Sequence, residues 1–455
     1  MQQPDTFGKL GSAMMTKCVV QFQTGQVSPS AAIASNGRVV RLYDTCHHID
    51  KAGFIGRALP DRVERLGAPT STAAFDFLTI SMAVTAADTF FRREDMSDNG
   101  WARDFEIQLP VVQPSKWTAA QPLLQKILNF LTGDHWQFTF LPNGPSKPNA
   151  VGGRLRNKSN LLGVDSVCLY SGGLDSWLGA KHLIAGGNNP ILVSHAYPQD
   201  AQRQNYLYDH LGHPLQRFAF NASPRQSGSA NDTTMRGRSF NFLAMGAVCA
   251  DAIAGLNGLE KVPLYIPENG FIALNAPLTP RRIGSHSTRT AHPNYLSKMQ
   301  DLFSLVGISA DIQNPFWTMT KGEMMTNAAL SSKDQRYASQ TVSCGKWKRK
   351  SEQCGRCLPC LIRRASFHKA GIVDNTPYTY SIPQNFAEHE GTKKDDLMAV
   401  IRAVQPTTKK QRLLNAMKSG PLPTDDTERN TWLSVYERGL RELGSFLKSQ
   451  GIKCD

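Results

Sequence analysis

"LYSGGLDSWLGAK" (Leu169–Lys181) is the stretch on which the fold turns. A short apolar run, "SVCLY", leads into two serines and two glycines set around an aspartate, and a helical pattern follows. Glycines at such a turn let the backbone approach a ligand, and the N-terminus of the helix offers N–H groups to an anion. Ser171 and Ser176 add hydroxyl donors. The string is not a Walker A loop, because Gly179 is followed by Ala180, Lys181 and His182, and no GxGxxG is present either. A turn that merely joins strand to helix is the competing reading. Six such residues directly after an apolar strand favour a phosphate cradle.

Outward from the loop, "PILVSHAY" and "VPLYIPE" are further β-rich runs, interleaved with the helical "DSWLGAKHLIA", "AQRQNYLYDHL" and "SFNFLAMGAVCADAIAGL". This alternation predicts an α/β fold, a doubly wound parallel sheet with ligands at the carboxyl ends of its strands. Upstream, "TKCVVQFQ", "FEIQLPVV" and "WQFTFLPNG" read as strands, and "AAFDFLTISMAVTAADTFF" and "AAQPLLQKILNFLTG" as helices. The expected organisation is an α+β N-terminal domain (1–145), a Pro/Gly/Asn/Ser-rich linker (146–162), the loop-bearing domain (163–380) and a helical C-terminal extension (381–455). There is no internal repeat.

A chain of 455 residues, 40% hydrophobic and 19% charged, predicts a globular protein of two or three domains. No apolar run approaches membrane-spanning length and the N-terminus lacks signal-peptide features, so a cytoplasmic protein is expected. The net charge of +14 is dispersed over "RRI" (281–283), "KWKRK" (346–350), "KK" (393–394) and "KKQR" (409–412). It is compatible with nucleic acid, an anionic nucleotide or an acidic partner, and selects none of them.

Four of the nine cysteines cluster in "CGKWKRKSEQCGRCLPC": Cys344, Cys354, Cys357 and Cys360. In a reducing compartment this spacing favours a closed, structural Zn²⁺ site; a redox pair and an iron–sulfur cluster are the alternatives. Cys18, Cys46, Cys168, Cys249 and Cys454 are scattered and read as small hydrophobes. Thr320-Lys321-Gly322-Glu323 has the form of a capping box that places Lys321 in the first turn of a helix. A cation there opposes the helix dipole unless it faces an anion, so Lys321 is either solvent-facing or directed at phosphates. Arg203, Arg236 and Arg238 are candidates for phosphate or for a substrate carboxylate, and His195 is a weaker one.

The loop Ser171, Gly172, Gly173, Leu174, Asp175, Ser176 resembles the PP-loop signature SGGxDS of the ATP pyrophosphatases. "TKGE", the cysteine cluster with "RRASFHKAGIVDNTPY" behind it, "SFNFLAMGAVCADA" and "QRQNYLYDHL" together resemble the 7-cyano-7-deazaguanine synthases, the QueC family, over roughly residues 165–380. The resemblance implies the fold of the adenine nucleotide alpha hydrolases and cleavage of ATP between the α and β phosphates. It implies that the loop, with Arg203 and Arg238, binds ATP, that Asp175, Ser176 and Lys321 act in catalysis, and that Mg²⁺ and Zn²⁺ are the metals. The family makes a nitrile from 7-carboxy-7-deazaguanine, ammonia and two ATP. The added length, about 150 residues before the loop and about 75 after the zinc segment, resembles the long QueC-like proteins of bacterial anti-phage defence systems. For those the implied reaction is adenylation of a deazaguanine acid, followed by attack of an amine of a partner protein. Ala201 in place of a glycine and "SHSTRTAHPNY" in place of the family's substrate segment are departures. Ammonia-using nitrile synthesis, a tRNA-modifying PP-loop enzyme and a non-catalytic ATP sensor are the other readings.

Overall fold

The computed structural model describes residues 17–23, 37–44, 52–97, 101–150, 158–195, 198–226, 231–232, 236–278, 286–345, 352–382 and 395–454. Cys46, the basic stretches at 281–283, 346–350 and 393–394, and Ser285 of the departing segment lie outside them.

The N-terminal region contains β1 (Lys17–Gln23), β2 (Gly37–Leu42), β3 (Ala52–Ile55), α1 (Leu59–Glu64), α2 (Thr72–Phe90), α3 (Arg93–Met96), β4 (Asp104–Pro110), α4 (Pro114–Thr132) and β5 (His135–Leu141). Where an α+β arrangement was expected, its five strands are mutually parallel, in the order β5-β4-β1-β2-β3. Alternation along β4 and β5 marks one face of the sheet. Strand direction, however, depends on crossovers that periodicity does not report.

The next region runs β6 (Ser166–Leu169), α5 (Leu174–Ala185), β7 (Pro190–His195), α6 (Pro198–Asp209), β8 (Arg217–Phe220), β9 (Arg225–Gln226), α7 (Arg238–Asn257), β10 (Val262–Tyr265), α8 (Gly270–Ala273), α9 (Pro293–Val306), β11 (Ala310–Gln313), α10 (Lys321–Asn327) and α11 (Ser332–Gln340). Its sheet is parallel, in the order β11-β10-β6-β7-β8. Both sheets thus have the doubly wound order 3-2-1-4-5 when each is counted from its own first strand. β9 leaves the second region and pairs antiparallel with β3, joining Phe54 to Arg225.

Helices α2 and α7 pack together between the two sheets. Phe77 of α2 meets Phe240 of α7 edge-on at 5.1 Å, Asn241 Nδ2 donates to Thr85 Oγ1 at 2.7 Å, and the Gly237 N–H donates to Asp88 at 2.8 Å. Against the sequence expectation, both helices are long and apolar enough to cross a membrane. Their windows are 100% and 78% buried, so the interior of this fold accounts for the composition. The linker segment is docked where it is described: Lys147 donates to the Thr70 carbonyl at 2.7 Å, and the Ser159 N–H to the Arg65 carbonyl at 2.8 Å.

After the second sheet come α12 (Leu358–Ala370), α13 (Asp395–Val404), α14 (Lys409–Met417) and α15 (Asp426–Ser449). α15 is amphipathic. It buries Trp432, Tyr436 and Leu443 against the second region, with Trp432 at 5.2 Å from Trp317 and Tyr436 at 5.9 Å from Phe271.

Candidate functional site

In the second sheet the strand order reverses between β6 and β10, and the carboxyl ends of those two strands are where open α/β sheets gather ligands. The loop after β6 is Ser171–Gly173. Gly172 sits at φ +80, where a side chain would be strained, and an added Cβ would lie 3.0 Å from Gln204 Cγ. Serine hydroxyls zip the turn: the Ser171 N–H donates to Ser176 Oγ at 3.2 Å, and Ser176 Oγ donates to the Gly173 carbonyl at 3.0 Å. Gly173 caps α5 without a side-chain hydrogen bond, so the first turn keeps N–H groups for an anion.

Asp175, in that first turn, is 6% exposed. Lys321 Nζ lies 3.0 Å from its Oδ1, and Asn269 Nδ2 donates to its Oδ2 at 2.7 Å. Lys321 is itself 6% exposed and comes from the capping box, which is present as expected: the Glu323 N–H donates to Thr320 Oγ1 and the Thr320 N–H to Glu323 Oε2. Glu268 and Asn269 follow β10 directly, on the other side of the switch point. Asn269 Nδ2 also donates to Glu268 Oε1, at 3.3 Å, and so bridges the two carboxyl groups. Burial and the Asp175 charge push the Glu268 carboxyl well above the usual carboxylate range. Asp175, although burial works against it, is held below that range by Lys321 and by its hydrogen bonds. Their surroundings thus drive the two carboxyls apart, Glu268 toward its neutral form and Asp175 toward its charged one, with Lys321 as counter-charge.

The sequence reading did not find Glu268, Asn269 or Gln204. No local motif marks them; only the strand order brings them to the loop. Gln204, 1% exposed, ties the loop to the neighbouring strand by donating to the Ser171 carbonyl at 3.1 Å and the His195 carbonyl at 3.4 Å.

The arginine candidates separate. Arg203 donates to Gln340 Oε1 at 2.8 Å, on the side of the loop toward the cysteines. Arg238, at the start of α7, lies 3.4 Å from Asp200 and lines a small cleft with Thr85, Asp88, His195 and Asn241. Arg236 is not at the loop: it donates to the Thr132 carbonyl at 2.8 Å and stacks on Trp101 at 4.8 Å, in the N-terminal region. Lys181 pairs with Asp334 at 2.7 Å.

The four cysteine sulfurs all lie within 4.8 Å of one another. The separations are 3.9 Å for Cys344–Cys357, 4.0 Å for Cys354–Cys360 and 3.4 Å for Cys357–Cys360. Tetrahedral Zn–S bonds of about 2.3 Å require edges of about 3.8 Å, so the cluster fits Zn²⁺. N–H groups of Cys354 and Cys357 point at Cys344 and Cys354 sulfurs, both at 3.4 Å, as suits thiolate ligands. Fully buried Arg363 fastens the segment, donating to Thr341 Oγ1 at 2.7 Å, the Ala338 carbonyl at 2.7 Å and Thr376 Oγ1 at 2.9 Å. From it the Val342 N–H donates to the Gly172 carbonyl at 3.2 Å. The segment that leads into the cysteine cluster thus holds the Ser171–Ser176 loop directly.

Comparison with known proteins adds similarities of sequence. Residues 290–371 match the family model "Queuosine biosynthesis protein QueC". The 7-cyano-7-deazaguanine synthase of Hydrogenovibrio crunogenus is 27% identical over 242 residues, which is 48% of this chain and 97% of the relative. That of Pelobacter propionicus is 27% identical over 240 residues, with the same two coverages. Over about half its length, then, this chain is similar to 7-cyano-7-deazaguanine synthases. The synthase of Cupriavidus taiwanensis is 35% identical over a shorter stretch, 92 residues, covering 19% of this chain and 39% of the relative. Among the described residues, the scattered thiols Cys18, Cys168, Cys249 and Cys454 are buried, and burial pushes the first three up, Cys18 to about 12.

Proposed function

We propose that this protein is a cytoplasmic, ATP-dependent ligase that adenylates the carboxylate of a 7-carboxy-7-deazaguanine-type acid and passes the acyl group to an amine. The observation that carries the reading is the buried Asp175–Lys321 pair set beside an uncapped helix N-terminus. An acid oxygen attacks the α-phosphorus, the α–β bridging bond breaks, and pyrophosphate leaves into the Ser171–Ser176 loop. The amine then attacks the acyl carbon, AMP departs, and the amine proton goes to solvent. Lys321 supplies the positive charge facing the phosphates, and Arg203 and Arg238 are candidate partners for phosphate or acid. Asp175 and Glu268 are the residues that would hold Mg²⁺, which when bound neutralises phosphate charge. Two carboxyl groups bridged by one amide, one of them pushed toward its neutral form, are the kind of pair a divalent cation ionises.

For the nucleophile we propose a primary amine of a partner protein in an anti-phage defence system. The support is the length of chain outside the 48% that aligns with the synthases. Ammonia is the second reading, supported by the names of those relatives. Incubation with ATP, Mg²⁺ and 7-carboxy-7-deazaguanine is expected to release AMP and pyrophosphate. A mass increase on a co-purifying protein identifies the first nucleophile, and free nitrile formed on adding ammonium identifies the second. Absence of AMP under every condition overturns the adenylation reading.

A further inference from the structure

We infer that α15, in the C-terminal extension, belongs to the nucleotide site: Glu442 and Arg438 are positioning residues that hold Lys321 against Asp175. The inference deepens the proposed function and rests on its assignment of Lys321 to the phosphates. It concerns a helix lying well beyond residue 371, where the family-model match ends.

A capping box starts a helix by itself. In this one, both halves are also gripped from α15. Thr320 Oγ1, which accepts from the Glu323 N–H, donates its own proton to Glu442 Oε1. Glu323 accepts from Arg438 Nε at 2.6 Å and from its Nη2 at 3.2 Å, and Nη2 also donates to the Thr318 carbonyl at 2.6 Å. Residues 318, 320 and 323, on both sides of Lys321, are thus fixed by two side chains one turn apart. The fit is close. A Cβ at Gly322 would lie 2.8 Å from Glu442 Cδ, and one at Gly439 would lie 2.4 Å from the Phe271 ring. Phe271 belongs to α8, whose N-cap Asn269 is the donor to Asp175. One helix therefore braces both arms that meet at Asp175.

Docking of α15 does not require this polarity. Trp432, Tyr436 and Leu443 already bury its apolar face, whereas a carboxylate 9% exposed is costly to place there. Burial pushes Glu442 up to about 7; Glu323 on α10 works in the same direction, and Lys369 on α12 opposes it. Ionised, Glu442 accepts the Thr320 hydroxyl and lies at the N-terminus of α10, which favours an anion. Protonated, it loses that charge, and its grip on the box weakens.

The test uses the full chain. Affinity for α,β-methylene-ATP with Mg²⁺ is measured by calorimetry, and AMP release with 7-carboxy-7-deazaguanine is followed from pH 6 to 9, for E442Q, R438A and R438K beside K321A and D175N. Loss of positioning is expected to cost about ten-fold in E442Q and R438A. R438K should recover part of the loss, and wild-type activity should fall toward the E442Q level as pH drops through about 7. Melting temperature in E442Q should not fall. If R438A fails to fold, E442Q decides alone. Wild-type-like affinity and a wild-type pH profile in E442Q, with K321A and D175N crippled, overturn the positioning role and leave adenylation standing. Full activity in K321A and D175N overturns both.

Discussion

The two sheets share one strand order, yet among the described residues the candidate site lies at one of them. In each, the strand directly across the switch point ends near a helix start. After β4, the N–H groups of Val112 and Gln113 and the Trp117 indole N–H all donate to buried Asp76, at 2.9, 3.0 and 3.2 Å. The chain's own carboxylate fills the place of an anion. After β10, Glu268 and Asn269 instead turn toward Asp175, and the facing helix α5 has no side-chain cap. The charges differ in the same way. Arg93 and Arg103 are locked onto Asp88 and Asp134, with Asp232 beside them, at 2.5–3.6 Å and almost without exposure. Lys321 faces one aspartate at the mouth of a phosphate cradle. The same topology yields a bolt in one half and a site in the other, so function here resides in what each loop leaves unsatisfied.

Metal removal should break the comparison most. Structural zinc contributes about 10–16 kcal/mol in small peptides, and among the described residues only the second region has such a cluster. A strong chelator, or Cys357→Ser, is expected to abolish amide protection at Val342, which bonds the Gly172 carbonyl, and to release the loop. Amides of β1 and β4 should remain protected. Hydrogen exchange resolved by segment checks both; equal loss in the two sheets would show that they unfold as one.

Next in size is Asp175→Asn, which keeps the shape but removes the charge facing Lys321. AMP release should fall by about 10³-fold, in line with loss of a group that organises charge in a phosphoryl-transfer site. Its counterpart in the silent half is Asp76→Ala. Two amides and an indole N–H are then left buried, costing about 2–3 kcal/mol of stability. Denaturant unfolding measures that loss, and the activity of the folded fraction should be unchanged. A drop in turnover would mean that the first sheet takes part after all.

The contrast also explains what could be read from residues alone. The loop, the capping box and the cysteine cluster are local: each function is carried by neighbours within a dozen or so positions, so spacing reveals it. Glu268 and Asn269 follow an unremarkable "VPLYIP", and only the β10–β6 pairing makes them neighbours of Asp175. Arg236 has the same guanidinium as Arg238, but two positions along the chain it is drawn into the Thr132 carbonyl and Trp101. The short β2, β3 and β8 escaped because four to six residues give too little alternation, and Arg41 on β2 is buried by pairing with Asp44. Without β2 and β3, the parallel order of the first sheet, and so its kinship with the second, could not be seen.

The smallest expected effect separates stability from activity within the catalytic half. Glu442 has its folded-state value raised from the ordinary 4.5 to about 7. An acid raised on folding binds its proton more tightly in the native state. Its contribution is therefore fully present below about 4.5 and is lost as pH rises through 7. Across that interval the loss is at most about 3 kcal/mol, and hydrogen bonds retained by the ionised form reduce it. Glu442→Gln removes this pH dependence. Its melting temperature should match wild type near pH 5 and exceed it by about one to a few degrees at pH 8, one kcal/mol being worth roughly 2–4 °C at about 150–250 residues and less in a longer chain. If the variant is instead destabilised at pH 8, the ionised carboxylate is a net structural asset, and its burial needs no functional reason. If it is stabilised while AMP release declines, the carboxylate is retained at a cost to folding because of what it does for Lys321.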